Sequence, residues 1–197
     1  MARTREFDTE AAVGAAMELF WERGYEATSV DDLVARLGIG RGSLYAAFGS
    51  KHALYLRALD RYRCEHMAGV FAAFDDPGAP LLPTLRRLFD AVAAHVLGAA
   101  PAGHPPGCFM VNATTERAAC DPEVAARVRE NLGAIEATFE RAVRRAQARG
   151  EVPAGKDPRA LARFLAMAVQ GMRVSGAANP SRAALRDMTR VTLDALA

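Results

Sequence analysis

TSVDDLVARLGIGRGSLYAAFGSK, residues 28–51, carries the densest local signals in the chain. Ser29 is a good helix N-cap, because its hydroxyl can accept a free backbone N–H of the first turn. Asp32, three residues on, supplies the acidic half of a capping box and suits the positive end of the helix dipole. Val30, Leu33, Val34 and Leu37 follow at i, i+3, i+4 and i+7, one apolar face. Gly38 ends the helix where a left-handed residue is needed. Ile39 turns into the corner. A second helix begins near Gly40 and Arg41 and carries Leu44, Tyr45 and Phe48. Two short helices joined by a glycine turn form the helix-turn-helix pattern, whose second helix enters the major groove of DNA. The plainer reading is a helical hairpin that only packs.

Working outward on the N-terminal side, a first helix is expected over residues 9–23. Val13, Ala16, Met17 and Phe20 make its core stripe, and Gly24 closes it. Before it, Met1 to Phe7 is a short arm in which Arg3 and Arg5 could reach phosphates or a minor groove. A frayed terminus is at least as good a reading.

The residues GIGRGSLYAAFGSK resemble the recognition-helix signature of the tetracycline-repressor (TetR) family. They share its Gly-hydrophobic turn, a small residue before Leu-Tyr, Phe three residues later and a closing Ser-Lys. LFWERGYEATSVDDLVARLG is similar to the family's first two helices, so the likeness runs from about Thr9 to Lys51. One departure is Gly40, where the family usually has Ser or Ala; Gly is a tolerable N-cap. The resemblance implies an all-α fold: an N-terminal three-helix helix-turn-helix DNA-binding head, residues 1–50, and a C-terminal helical effector-binding and dimerisation domain, residues 51–197.

Within the second helix of the motif, Arg41, Gly42, Ser43 and Tyr45 are the positions expected to face DNA. Arg41 can read guanine or clamp a phosphate. Gly42 lets the backbone approach closely. By resemblance, Tyr45 contacts the DNA backbone or a thymine methyl. Thr28 and Lys51 stand at helix starts suited to holding phosphate. The whole chain carries a net charge of only +2. From Arg36 to Arg63, however, six cations face one carboxylate, Asp60. That local excess is what phosphate contacts require.

On the C-terminal side, a long helix is expected from Lys51 to about Phe74, stopped by Asp75-Asp76-Pro77-Gly78. Others follow over about 81–97 and 108–119. Asp121-Pro122 and Asp157-Pro158 each place an N-cap before Pro at the first helical position, opening helices over about 122–149 and 158–177. Asn179-Pro180-Ser181 opens the last. These final two, the eighth and ninth in order, carry apolar stripes. One is Leu161, Phe164, Leu165, Ala168, Val169 and Met172; the other is Leu185, Met188, Val191, Thr192 and Leu196. They are read as the faces of a homodimer, which the resemblance also implies and which a near-palindromic double-stranded operator requires.

The middle helices hold the expected pocket for an unknown small-molecule effector. Phe71, Phe74, Phe89, His95, Phe109, Asn112, Glu116 and Phe139 mix aromatic walls with a few polar groups. Cys108 joins them: GCFMVNATTE, residues 107–116, resembles a segment found in a subset of these regulators, some of which sense electrophiles or oxidants through a cysteine there. A thiol at a helix N-terminus is activated by the dipole; a buried, inert cysteine is the competing reading.

Cys64, Cys108 and Cys120 are too few and scattered for a disulfide framework, which points to the cytoplasm. No apolar run reaches the roughly 18 residues of a membrane span, and the N-terminus lacks a signal-peptide core. The cysteines and histidines lack paired metal-ligand spacing. Hydrolase, phosphate-loop, zinc-protease and dinucleotide motifs are absent. The expectation is therefore a non-enzymatic, ligand-responsive homodimeric transcriptional repressor with no cofactor and no metal. The alternative is a small-molecule-binding or scaffolding helical protein that does not use its head.

Overall fold

The computed structural model describes residues 8–98, 105 and 107–197, and within them the fold is all-α. Helix α1, Thr9–Arg23, starts where the Asp8 carboxylate accepts the N–H groups of Glu10 and Ala11 at 2.9 and 3.1 Å, the expected role of an acidic N-cap. Helix α2, Val30–Leu37, has the full capping box between Ser29 and Asp32 and ends at Gly38 in the left-handed region. Helix α3, Arg41–Phe48, starts at Gly40 without a side-chain cap. Helix α4, Lys51–Tyr62, is capped by Ser50.

The long helix expected to reach Phe74 is not regular. Past Tyr62 it opens into a π turn, Arg63–Met67, then a short α5, Ala68–Phe71, and a 3₁₀ turn, Ala72–Phe74. The reason is phase. At about 100° per residue, nine residues of α-helix would leave Tyr62 and Phe71 on opposite sides. Both are buried, with 3 % and 7 % exposure. The wider π turn advances less per residue and brings both rings to the core.

The body continues with α6, Leu81–Val96, and α7, Phe109–Glu116. Helix α7 is shorter than the 108–119 expected, because the N–H groups of Arg117 and Ala118 both turn back to the Ala113 carbonyl. Helices α8, Pro122–Ala148, and α9, Pro158–Ala178, start at the two Asp-Pro signals. Helix α10, Arg182–Asp194, starts at Ser181. Helix α9 packs along α8 and also against α6 and α10. At Gly176 any side chain would collide with Val96, so α9 and α6 approach at the backbone.

This packing revises the two apolar stripes. Leu165, Ala168, Val169, Met172, Leu185, Thr192 and Leu196 are buried inside the single chain. Phe164, Met167 and Val174 on α9 and Val191 on α10 stay exposed. No helix among the described residues is long and apolar enough to cross a membrane.

Candidate DNA-binding head and its junction with the body

Helix α3 is held from one side. Leu44 and Phe48 are buried in the head core with Leu33 of α2 and Phe20 of α1; each apolar side chain so buried contributes about 1.5–3 kcal/mol. The opposite face leaves Arg41, Gly42, Tyr45 and Ala46 exposed, with Ser43 half-buried beside them. A Cβ on Gly42 would meet nothing within 4 Å, so packing inside the chain does not demand glycine there. Arg41 and Tyr45 are four apart and share a face of the helix.

Arg41 donates to the Asp31 carboxylate at 3.0 and 2.6 Å. That hydrogen bond holds its guanidinium further up than usual. Thr28 does not face outward as expected. It is fully buried, and its hydroxyl donates to the Gly24 carbonyl at 2.6 Å; it shapes the turn between α1 and α2 instead of offering a hydroxyl to phosphate. Lys51 lies with its ammonium 4.2 Å from the centre of the Tyr25 ring. Partial burial pulls its pKa down. Arg3 and Arg5 lie outside the described residues.

The local positive excess between Arg36 and Arg63 is cancelled in space. Arg36 faces Glu18 and Glu22 at 3.3 and 3.7 Å. Arg57 pairs with Glu10, Arg61 with Glu65 and Arg63 with Glu130, each at 2.9 Å. The carboxylates come from other elements, so a window along the sequence did not count them. Residues 8–51 in fact hold seven carboxylates against four cations.

The head meets the body at a polar junction. Glu116, at the end of α7, accepts the backbone N–H groups of Tyr25 and Glu26 at 2.9 and 2.8 Å. Arg117 pairs with Glu26 and lies over the Tyr25 ring, 4.6 Å from its centre, a cation–π contact. Asp121 caps α8 through Glu123 and Val124 while accepting from His52 at 2.8 Å and Arg117 at 3.2 Å. Burial alone would raise its carboxyl; these hydrogen bonds outweigh burial and hold it below the ordinary range.

The nine expected effector residues are not gathered round one space. Phe71, Phe74 and Phe139 form an aromatic cluster, with ring centres 5.4 and 5.3 Å from Phe139. Phe89 is fully buried on α6. His95 contacts the Gly107 carbonyl through Nε2 at 2.8 Å. Phe109 meets Tyr55 and Tyr62 edge-on. Asn112 donates to the Trp21 carbonyl at 3.4 Å, and Glu116 is taken up by the head. Cys108 is buried, and its Sγ accepts from the Tyr62 hydroxyl at 3.2 Å and from Arg173 at 3.0 Å. Burial and the neighbouring sulfur push the Tyr62 phenol well up.

A cavity of about 540 Å³ lies between the π-turn segment and α8. Of the nine residues, Phe71 lines it. Arg63, Cys64, Asn131, Ile135 and Thr138 were missed. A signal existed: Asn131, Ala134, Ile135 and Thr138 stand at i, i+3, i+4 and i+7, a helical face interrupted by an amide. Among the described residues no cluster of three or more His, Cys, Asp or Glu could hold a metal ion.

Two family models match the chain. "Bacterial regulatory proteins, tetR family" covers residues 13–58, and "Tetracyclin repressor-like, C-terminal domain" covers residues 82–192. The HTH-type transcriptional repressor ComR of Escherichia coli (strain K12) is 34 % identical over 195 residues, 97 % of this chain and 90 % of ComR. The HTH-type transcriptional regulator YezE of Bacillus subtilis (strain 168) is 32 % identical, over 98 % of this chain and 92 % of YezE. Among solved structures, a cysteine mutant of the TetR family regulator CifR, complexed with 26-bp double-strand operator DNA, is 28 % identical with a TM-score of 0.83, and each chain is covered in full. The chain therefore belongs to the TetR family of DNA-binding transcriptional regulators.

Proposed function

We propose that the protein is a homodimeric repressor that binds a near-palindromic operator with two copies of α3. It leaves DNA when a small molecule occupies the helical body, or when Cys108 is modified. The observation that carries the reading is the division of α3: Leu44 and Phe48 anchor it while Arg41, Gly42 and Tyr45 face out. Ser43 and Lys51 flank that face, and the basic residues Arg3 and Arg5 add phosphate or minor-groove contacts. The head is taken as about residues 1–50 and the body as 51–197.

The dimer forms through α9 and α10, where Phe164, Met167, Val174 and Val191 are exposed apolar side chains that an isologous interface would bury. Release is a population shift: the effector prefers a body conformation in which the two heads are mis-spaced for the operator, so DNA weakens effector binding by the same factor. Helix α4 and the Glu116 junction connect the two halves. For Cys108, the Tyr62 hydroxyl and Arg173 both donate to Sγ at the start of α7, whereas its 2 % exposure slows reagents. An iodoacetamide rate no faster than that of a free thiol would exclude the cysteine route. The protein works in the cytoplasm, without catalysis, cofactor or metal.

Selection from a random duplex library at near-physiological salt tests this reading. An enriched palindrome with half-sites about 34–36 Å apart, or a multiple, is the expected result. A folded dimer that enriches nothing would favour the alternative, a helical protein that binds small molecules without using its head.

A further inference from the structure

The cavity between the π-turn segment and α8 holds an unmatched donor. Asn131 is 2 % exposed and lines the cavity, and its Nδ2 has no hydrogen-bond partner among the described residues. A buried amide donor without an acceptor carries an unrepaid desolvation cost, so a ligand that supplies an acceptor recovers that cost. The cavity, about 540 Å³, falls in the range of small-molecule sites.

The walls narrow the class further. Phe71, Ala72, Ala134 and Ile135 make them largely apolar. Two charged residues stand at the lining, and each is already matched within the chain: Arg63 with Glu130 at 2.9 Å and Asp75 with Arg141 at 3.1 Å. The site thus offers a buried amide donor, with the Thr138 hydroxyl and the exposed Cys64 thiol also on the lining, and its two charges are compensated. From this we infer that the cavity binds an uncharged, mainly apolar carbonyl compound, such as an aryl ketone, aldehyde or ester, whose oxygen accepts from Asn131 Nδ2. The inference rests on reading the body as the effector domain and gives that effector a chemical class and a position. Its position also supplies the coupling. One wall is the π turn, Arg63–Met67, directly continuous with α4, which packs against α1 in the head; π turns recur at functional sites.

The probe is benzophenone, which also crosslinks on irradiation, set against diphenylmethane, its counterpart without the oxygen. Binding to the full-length protein is measured without DNA, so failure of operator binding would leave this result standing. Expected are saturable binding, crosslinks confined to peptides spanning residues 63–75 and 131–138, and at least a tenfold preference for benzophenone. N131L should bind both compounds equally. A134W, at an exposed rim position, should bind neither while keeping its helical spectrum. No saturable binding, crosslinks elsewhere, or a preference that survives in N131L would overturn the inference; an operator selected by the unliganded protein would then still support the DNA-binding reading.

Discussion

The carboxylate of Glu116 accepts the backbone N–H of Tyr25 at 2.9 Å across 91 positions of sequence, joining the end of α7 to the turn that leads from α1 to α2. Its other oxygen takes the next N–H, that of Glu26. The turn can present both donors because Gly24 holds φ +83 and ψ 172, a region open essentially to glycine alone. A Cβ there would also stand 2.9 Å from the Glu116 carboxylate.

Removing either half of this clasp should destabilise the fold. E116A is expected to cost about 1–2 kcal/mol, since charge-assisted hydrogen bonds contribute most among their kind. G24A should cost more, about 1–3 kcal/mol, from backbone strain and crowding together. Urea midpoints measure both. An E116A midpoint equal to that of the unaltered protein would mean that water replaces the carboxylate without loss.

Asp31 holds Arg41, the residue proposed above to contact DNA. R41A should weaken binding to the selected operator by roughly an order of magnitude. D31N should strengthen it several-fold, because the guanidinium is released and a negative charge leaves the docking face. Gel-shift titrations with one duplex give both values. Weaker binding by D31N would show that the Asp31 contact orients Arg41 for DNA.

Asp121 makes stability depend on acid pH. Its carboxyl titrates below the ordinary range when folded and near the reference value of about 3.9 when unfolded. The unfolded chain therefore takes up this proton first as pH falls. The stabilisation is complete above about pH 4–5 and is lost as pH drops towards the folded value. D121N should lower the melting temperature at pH 7 and narrow the difference between pH 7 and pH 3. Equal slopes for the two proteins on the acid side would remove Asp121 from the account.

The exposed and buried parts of α9 separate association from folding. M167E, at a residue 56 % exposed, should sediment as a folded monomer. L165E, at a residue with no exposure, should lose the fold. A dimeric M167E would move the interface away from this face.

Much of the head was legible because its signals are local. Ser29 with Asp32, Gly38 and the Leu44–Phe48 spacing each act within one turn of helix, and the structure follows them. Asp121 and Asp157, each followed by Pro, marked the starts of α8 and α9 for the same reason. Long-range partners were not legible. Thr28 reads as an exposed helix start, yet the packing of α1 buries it. The arginines from Arg36 to Arg63 read as a basic patch because their carboxylates, Glu10, Glu18 and Glu130 among them, lie outside that window. The π turn after Tyr62 follows from where Phe71 has to lie in three dimensions. The aromatic residues expected to line one pocket are scattered because Phe, Tyr and Trp in a sequence report burial, and burial serves core and cavity alike.

The paired arginines change what DNA binding would exchange with solution. A cation that faces water carries mobile counterions, and docking on phosphate frees ions from both sides. Here Arg36, Arg41, Arg57 and Arg61 already carry glutamate or aspartate as fixed counterions. An arginine that moves to a phosphate strands a carboxylate, which must recruit a cation of its own. Part of the ion release is thereby returned, so affinity would fall less steeply with added salt than a tally of phosphate contacts suggests. On the proposed docking of α3, discrimination among sequences would then rest more on the fit of its exposed Gly42 and Tyr45 than on charge.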